Sequence, residues 1–380
     1  MRMRSLVAIS VLSLSACGGT AAPPSSAPAS TAASTAPKPS APGASAAAKP
    51  SAAVKPSAAV SAAPASAGGS AAGSANGGLP HVKIAYSQPT SGFAHLWIAA
   101  DKGYFKKYGL DAEVVQITPP ADTSALLANE IQFDFDGAAG INAIAGGAPI
   151  PFIAITNPTF TQAFYGRPEV KKMSDIIGKT VAATTRGGSS DIALRQMLDR
   201  EKIDINQVKL TYLRDDSAIL ASLQSGAVQA AMLTSPNTLR ARDAGMNQLL
   251  DLATVRWHTI NQGVNVRDDW AKSHQDEVLA FLKGELEGMH DAKTDPQLTK
   301  ETITKWTKVT DPALLDEAYR SGNAGWTADP LAHDDDIQGV IDYSTEASVK
   351  THKPQEFYDN SYLDKLQDFI KALYPQGIPQ

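Results

Sequence analysis

From residue 79 onward, the sequence predicts an α/β fold with two lobes of similar topology. Short apolar strands alternate with amphipathic helices there, an order typical of parallel sheets covered by helices. Residues 126–132 and 223–229 also share the pattern Leu-x-x-[Asn/Gly]-x-[Ile/Val]-Gln. In both segments a residue suited to a left-handed helix cap, Asn129 or Gly226, stands just before a strand. We therefore expect one lobe near 80–170 and another near 178–258.

The individual elements follow from hydrophobic periodicity. Phe93, Leu96, Trp97 and Ala100 have the i, i+3, i+4, i+7 spacing of an amphipathic helix. Further helices are predicted at 123–128, 190–201 and 217–225, and the chain from about 272 is mainly helical by pattern. Strands are predicted at 82–86, 112–117, 133–135, 152–156, 181–184, 209–213 and 230–233.

The first 16 residues are typical of a secretory signal. Arg2 and Arg4 precede a short apolar run, and the small residues Ser15 and Ala16 precede Cys17. Leu14 to Cys17 resembles a bacterial lipobox, in which cleavage leaves a lipid-carrying cysteine at the new N-terminus. We expect a signal peptide at 1–16 and an acylated Cys17 that attaches the protein to the membrane, extracytoplasmically. The alternative is a plain secretory peptide with an unmodified cysteine.

The segment 17–79 is interpreted as a disordered tether. Residues 18–78 are almost entirely Ala, Ser, Pro, Gly and Thr, with no aromatic residue, and the hexapeptide Lys-Pro-Ser-Ala-Ala-Val occurs twice in tandem. Such a composition cannot bury enough apolar surface to offset the entropy of ordering. Proline-rich chains favour extended segments, so this tether should hold the folded body away from the membrane.

Charge and cysteine content exclude several classes of protein. Residues 80–380 carry 29 basic and 39 acidic residues, a net charge of −10, which disfavours a nucleic-acid partner. Cys17 is the only cysteine, so neither an intramolecular disulfide nor a thiolate metal site can form. The segment His333 to Asp336 could suggest a metal site, but aspartates are also favoured at helix starts. We expect no metal and no cofactor.

A longer motif supplies a family resemblance. Residues 99–115 contain Gly103-Tyr104-Phe105 and, four residues after Phe105, Gly109-Leu110. This segment resembles the turn between the first helix and the second strand of NMT1/THI5-like and SsuA/TauA-type solute-binding proteins. Weaker matches continue at 138–139, 178–181 and 223–226, so the resemblance covers about 80–350.

The resemblance implies a type 2 periplasmic-binding fold, in which two lobes joined by two crossovers enclose a ligand cleft. The lobes would then be 80–170 plus 265–380 and 171–264, with crossovers near 167–174 and 255–264. It also implies a monomeric subunit that delivers a small molecule to an ABC permease and its ATPase. Nitrate, sulfonates, taurine, pyrimidine precursors and aromatic acids are all bound by such relatives. The alternatives are a thiamine-pyrimidine biosynthetic enzyme on the same fold and a ligand-sensing domain.

Candidate ligand-binding residues follow from the predicted strands, because ligands bind beyond the carboxyl ends of strands in open parallel sheets. In the first lobe the candidates are Ser87, Gln88, Thr90, Ser91, Phe93, Gly137, Ala138, Ala139 and Asn157. In the second lobe they are Gly187, Gly188, Ser189, Ser190, Ser235 and Pro236.

The segment 187–190 is the strongest candidate for an anion contact, since small residues at a helix N-terminus let N–H groups approach a negative ligand. The alternative is a flexible loop in which Ser189 or Ser190 caps the helix. Arg186 could pair with an anion or remain solvated. Phe93 and Trp97 could stack on a ring, although their helical spacing also suits the core. No catalytic residue is predicted.

Overall fold

The computed structural model describes residues 78–379. The predicted signal peptide, Cys17 and all but the last two residues of the predicted tether lie outside this range. Within it the chain forms the α/β architecture predicted from the sequence, with ten strands in two five-stranded sheets. None of the helices described is both long and apolar enough to cross a membrane.

The strands are β1 (His81–Tyr86), β2 (Asp111–Gln116), β3 (Phe133–Asp136), β4 (Phe152–Thr159), β5 (Ala163–Gly166), β6 (Thr180–Ala183), β7 (Lys209–Tyr212), β8 (Ala230–Leu233), β9 (Asn247–Asp251) and β10 (His258–Val266). The helices are α1 (Ala94–Asp101), α2 (Tyr104–Lys107), α3 (Ala121–Leu127), α4 (Ala138–Ala145), α5 (Ser189–Arg200), α6 (Asp216–Ser225), α7 (Asn237–Asp243), α8 (Asp268–Ser273), α9 (Gln275–Thr294), α10 (Pro296–Thr307), α11 (Pro312–Gly325), α12 (Asp334–Tyr343), α13 (Ser361–Asp364) and α14 (Gln367–Leu373). All seven predicted strands are present, and β5, β9 and β10 were not predicted.

The two sheets have the same plan. Their strand orders are β2-β1-β3-β10-β4 and β7-β6-β8-β5-β9. In each sheet one edge strand, β4 or β9, pairs with the strand that enters from the other lobe, β10 or β5. The sequence echo marks this repetition, because Asn129 and Gly226 both have positive φ, of 60° and 86°, just before β3 and β8. The prediction of two lobes with similar topology is confirmed.

Each sheet is parallel except for one strand. β10 runs antiparallel to β3 and β4, and β5 runs antiparallel to β8 and β9. Each of these strands is the first one after the chain has crossed from the other lobe. The chain therefore enters the new sheet from the side where the other parallel strands end, and must run in the opposite direction.

Sheet membership also moves the predicted lobe boundaries. β5 belongs to the second sheet, so the first crossover is 160–162 instead of 167–174. β10 belongs to the first sheet, which places the return at 252–257, overlapping only the start of the predicted 255–264. The predicted lobes, 80–170 plus 265–380 and 171–264, divide these strands differently: β5 falls in the first lobe and most of β10 in the second, because neither strand is predicted from the sequence.

The Gly-Tyr-Phe segment turns the chain from α1 into β2 as expected. Gly103 and Gly109 have φ of 70° and 95°, the left-handed region that Cβ disfavours. Phe105 and Leu110 are buried in the first-lobe core, and Tyr104 donates a hydrogen bond to Asp291 on α9. The motif therefore fixes a helix–strand turn and anchors it to α9.

The first-lobe core is aromatic. Phe133 of β3 stacks on Phe281 of α9 with ring centroids 3.9 Å apart, and the buried Trp97 of α1 stacks on Trp306 of α10 at 5.3 Å. Trp97 is thus a core residue, the reading that its helical spacing favoured. His95 of α1 forms an ion pair with Glu285 of α9, and both side chains are buried. This pair links α9 to α1, the helix that follows the loop after β1.

Candidate binding cleft

A cavity of about 270 Å³ lies between the two lobes. Its walls are the segments that follow β1, β2 and β3 in the first lobe and β6, β7 and β8 in the second, together with the first crossover, β10 and α11. The carboxyl ends of the parallel strands of both sheets therefore meet at one site, as the rule for open α/β sheets requires.

Most of the predicted ligand-binding residues lie in the cavity wall. Those that line it are Ser87, Gln88, Thr90, Ser91, Phe93, Gly137, Ala138, Ala139, Gly188, Ser189 and Ser190. Four others lie behind the wall: Asn157 is buried in β4 beside Gly325, Gly187 donates its N–H to Asp191, and Ser235 and Pro236 follow the lining residue Thr234. Contact of any of these residues with a ligand stays a prediction.

Hydrogen bonds within the loop between β6 and α5 hold the second-lobe wall in place. The Ser190 hydroxyl accepts from the Thr184 N–H at 2.9 Å, and the Asp191 carboxylate accepts from the Gly187 N–H at 2.9 Å and from Tyr212. Within residues 78–379, however, the backbone N–H groups of Ser189 and Ser190 have no acceptor. These two N–H groups begin the 12-residue helix α5 and are suited to a negatively charged group.

Ser189 also forms a contact between the lobes. Its hydroxyl lies 3.2 Å from the Ile260 carbonyl and 3.3 Å from the Asn261 carbonyl, both on β10 of the first sheet, and can donate to only one of them at a time. The same oxygen accepts a long hydrogen bond, 3.5 Å, from the Ala138 N–H at the start of α4. A Cβ on Gly137 would lie 2.5 Å from this hydroxyl, so glycine allows the close approach.

Arg214 supplies positive charge to the cavity wall. It follows β7, has a positive φ of 61°, and donates its backbone N–H to Thr184 at 2.8 Å. Among residues 78–379 no other Lys or Arg lines the cavity, and the Arg214 side chain makes no ion pair. Arg186, the arginine singled out in the sequence, is exposed and lies outside the wall.

The first-lobe and crossover walls combine aromatic rings with amides. Phe93 and Phe135 are nearly buried and meet edge to face at 6.3 Å, so Phe93 both packs in the core and borders the cavity. Gln162 donates its amide N–H to the Asn261 side-chain oxygen at 2.9 Å, and Gln262 packs against Gly92. The wall therefore offers mostly uncharged polar groups near a small aromatic surface.

One acidic side chain of the first lobe reaches the cavity. Asp136 ends β3 and accepts the Gly137 N–H at 2.7 Å. Burial, and secondarily the charge of Asp122, raises the pKa of Asp136 to about 7. Burial, and then Asp136 and Asp122, raises the pKa of Asp134 well above its ordinary value, and burial also raises the pKa of Asp122. We call Asp122, Asp134 and Asp136 the carboxyl trio.

Several wall residues were missed in the sequence. Asp136 and Arg214 each stand at the end of a predicted strand, so the rule that selected Gly137 would also have selected them. Thr161 and Gln162 come from the first crossover, where no element was predicted. Ser321 and Gly322 of α11 come from more than 130 residues further along the chain than the second-lobe loop at 184–190, and only tertiary contact could have found them.

The acidic run at 334–336 forms the first turn of α12. Asp336 pairs with His258 of β10 at 2.9 Å. Across residues 78–379 no group of three or more His, Cys, Asp or Glu side chains is arranged to hold a metal ion. The run therefore starts a helix and fastens α12 to β10.

The fold and cleft define a two-lobed α/β protein of the binding-protein type. Residues 90–299, more than half of the chain, match the family described as NMT1/THI5 like, and the chain belongs to this family. A binding protein of Brucella abortus is 22% identical over 294 residues, covering 74% of this chain and 91% of that protein. The binding protein YtlA of Bacillus subtilis is 24% identical over 291 residues, covering 70% and 84%.

Solved structures share the fold at low sequence identity. The periplasmic nitrate-binding protein NrtA of Synechocystis has a TM-score of 0.65 at 15% identity, over 80% of this chain and 91% of that one. The periplasmic aliphatic sulphonate-binding protein SsuA of Escherichia coli has 0.60 at 18%, over 73% and 99%. The ligand-binding component of an ABC-type import system of Staphylococcus aureus has 0.62 at 15%, over 75% and 98%.

Proposed function

We propose that this protein is the extracytoplasmic solute-binding component of an ABC importer. The observation that carries the proposal is one cavity of about 270 Å³ whose walls come from the strand ends of both lobes. Membership of the NMT1/THI5-like family supports it, as do structural neighbours whose names describe periplasmic or ABC-import binding proteins. An acylated Cys17 would hold the protein near its permease.

The ligand is a small molecule with an anionic group. The unpaired N–H groups of Ser189 and Ser190 and the guanidinium of Arg214 all belong to the second-lobe wall, where they favour negative charge. The cavity volume of about 270 Å³ is close to the lower limit of about 300 Å³ for small-molecule sites, which favours a small ligand. The Phe93 ring, which borders the cavity, offers an apolar surface to an aliphatic or aromatic portion of the same ligand.

Binding is coupled to lobe closure. A ligand that touches both walls has a higher affinity for the state in which the walls are close, and only this difference can drive closure. The hydrogen bond from Ser189 to the β10 carbonyls adds a contact available only when the lobes meet. The permease then recognises the closed form of a monomeric binding protein, while ATP is hydrolysed by a separate subunit.

A ligand screen with a blocking variant tests the function. Nitrate, alkanesulfonates, taurine, pyrimidine precursors and aromatic acids are screened by thermal shift, and hits are measured by calorimetry and small-angle scattering. We expect a hit that compacts the protein, and we expect Ser189→Trp to lose most of its affinity without lowering the unliganded Tm. Absence of any anionic hit, or tight binding without compaction, would contradict the ligand class or the closure mechanism respectively.

A further inference from the structure

The carboxyl trio is a concentration of buried acid without a counter-charge. Asp122 on α3 and Asp134 and Asp136 on β3 are at most 9% exposed. One carboxylate oxygen of Asp122 and one of Asp134 have no hydrogen-bond partner, and within residues 78–379 none of the three forms an ion pair. A buried carboxylate is costly unless a proton or a positive group neutralises it.

Neither α4 nor the β10 position opposite Asp134 supplies a positive charge to the trio. α4, which packs over Asp136, contains no charged residue, and the β10 residue opposite Asp134 is Asn265, whose amide donates to the Ile150 carbonyl. The charged groups that act on Asp136 and Asp134 are the other members of the trio. Asp136 is the member that lines the cavity, so a positive group can reach the trio from there.

Two side-chain amides provide an independent observation at the same cavity. Gln162 and Gln262 are each 7% exposed and line the cavity, and the side-chain carbonyl oxygen of each has no donor among residues 78–379. Gln262 precedes Gly263, which pairs with Asp136 across β3 and β10. An unpaired buried acceptor costs free energy, which a donor on a ligand would recover.

Resting on the proposed function, we propose that the solute carries an ammonium or equivalent N–H donor in addition to its anionic group. The donor binds the Asp136 carboxylate and the neighbouring Gln162 and Gln262 carbonyls. The anionic group binds the N–H groups that begin α5 and Arg214. The substrate class is therefore a small amphoteric molecule, and Asp136 is the residue that distinguishes it from a simple anion of the same length.

Matched ligand pairs test this inference. 3-Aminopropane-1-sulfonate and butane-1-sulfonate have the same number of heavy atoms and differ by an ammonium in place of a methyl group; 4-aminobutanoate and pentanoate form the corresponding carboxylate pair. By calorimetry at pH 8, we expect the amino member of a pair to bind at least tenfold more tightly, since its ammonium gains a charged hydrogen bond. Because the pKa of Asp136 is about 7, lowering the pH from 8 to 6 should weaken amino-ligand binding about tenfold.

Two variants assign the discrimination to Asp136. In Asp136→Asn the ratio of the two Kd values should fall to about one. In Asp134→Asn, which removes a carboxyl of the same trio that does not line the cavity, the ratio should remain. Equal affinities within the pairs, retained discrimination in Asp136→Asn, or no binding of any member would overturn the inference. Simple anions that bind more tightly at pH 6 with proton uptake would also overturn it, while leaving the proposed function intact.

Discussion

Replacing Asp136 with asparagine tests whether the buried Asp136 carboxyl lowers the free energy of unfolding of the unliganded protein. The asparagine side-chain oxygen can still accept the Gly137 N–H, so the local backbone keeps its partner. The substitution removes a carboxyl whose ionised form is opposed by burial and by Asp122. We therefore expect Asp136→Asn to be more stable than the wild type at pH 8.

The magnitude follows from proton linkage. A folded-state pKa of about 7 against an ordinary value of 3.8 corresponds to about 4 kcal/mol. Between these two pH values the folded protein binds the Asp136 proton and the unfolded chain has released it, so the free energy of unfolding decreases as the pH rises. The gain in the variant should approach about 4 kcal/mol at pH 8 and vanish near pH 4.

Urea unfolding of both proteins at pH 4.5 and pH 8 measures this difference. Asp368→Asn is the matched control, because Asp368 is fully exposed on α14. A gain for Asp136→Asn confined to pH 8 would agree with the linkage argument. The reasoning is refuted if the variant gains nothing at pH 8, or gains equally at both pH values.

Three further predictions concern other parts of the chain. Glu285→Ala should lower the free energy of unfolding by about 3–5 kcal/mol, because His95 is left buried without its partner. Glu285→Gln should lower it by less, and equal decreases for both variants in urea unfolding would argue against the interaction between His95 and Glu285. Gly288→Ala should cost about 1–3 kcal/mol by the same measurement, because the added Cβ would collide with the His95 carbonyl oxygen where α9 crosses α1, and an unchanged midpoint would contradict this. Cys17→Ser should abolish labelling of the protein by a fatty-acid probe in cells, and equal labelling of variant and wild type would exclude the lipid.

The binding cleft shows how many site residues can be predicted from the positions of strand ends. The loops at 87–93, 137–139 and 188–190 were placed at the cleft because ligands bind beyond the strand ends in α/β sheets, and all three segments contribute to its wall. The same rule also selected Asn157 and Ser235, whose side chains the structure places behind the wall. The ends of the strands locate the loops that surround the binding site. The direction of each side chain, however, depends on tertiary packing, which the sequence does not show.

The sequence by itself determined the α/β class and the repeated lobe plan, because periodicity and left-handed caps are local properties of the chain. Tertiary structure decided to which sheet β5 and β10 belong, since the four residues of β5 are too few to show a period and the nine residues of β10 do not alternate cleanly between apolar and polar. It also brought Asp122 beside Asp136 and placed Arg214 in the wall of the cavity that Asp136 lines. The effect of Asp122 on Asp136 depends on distance and burial, which only the folded protein sets.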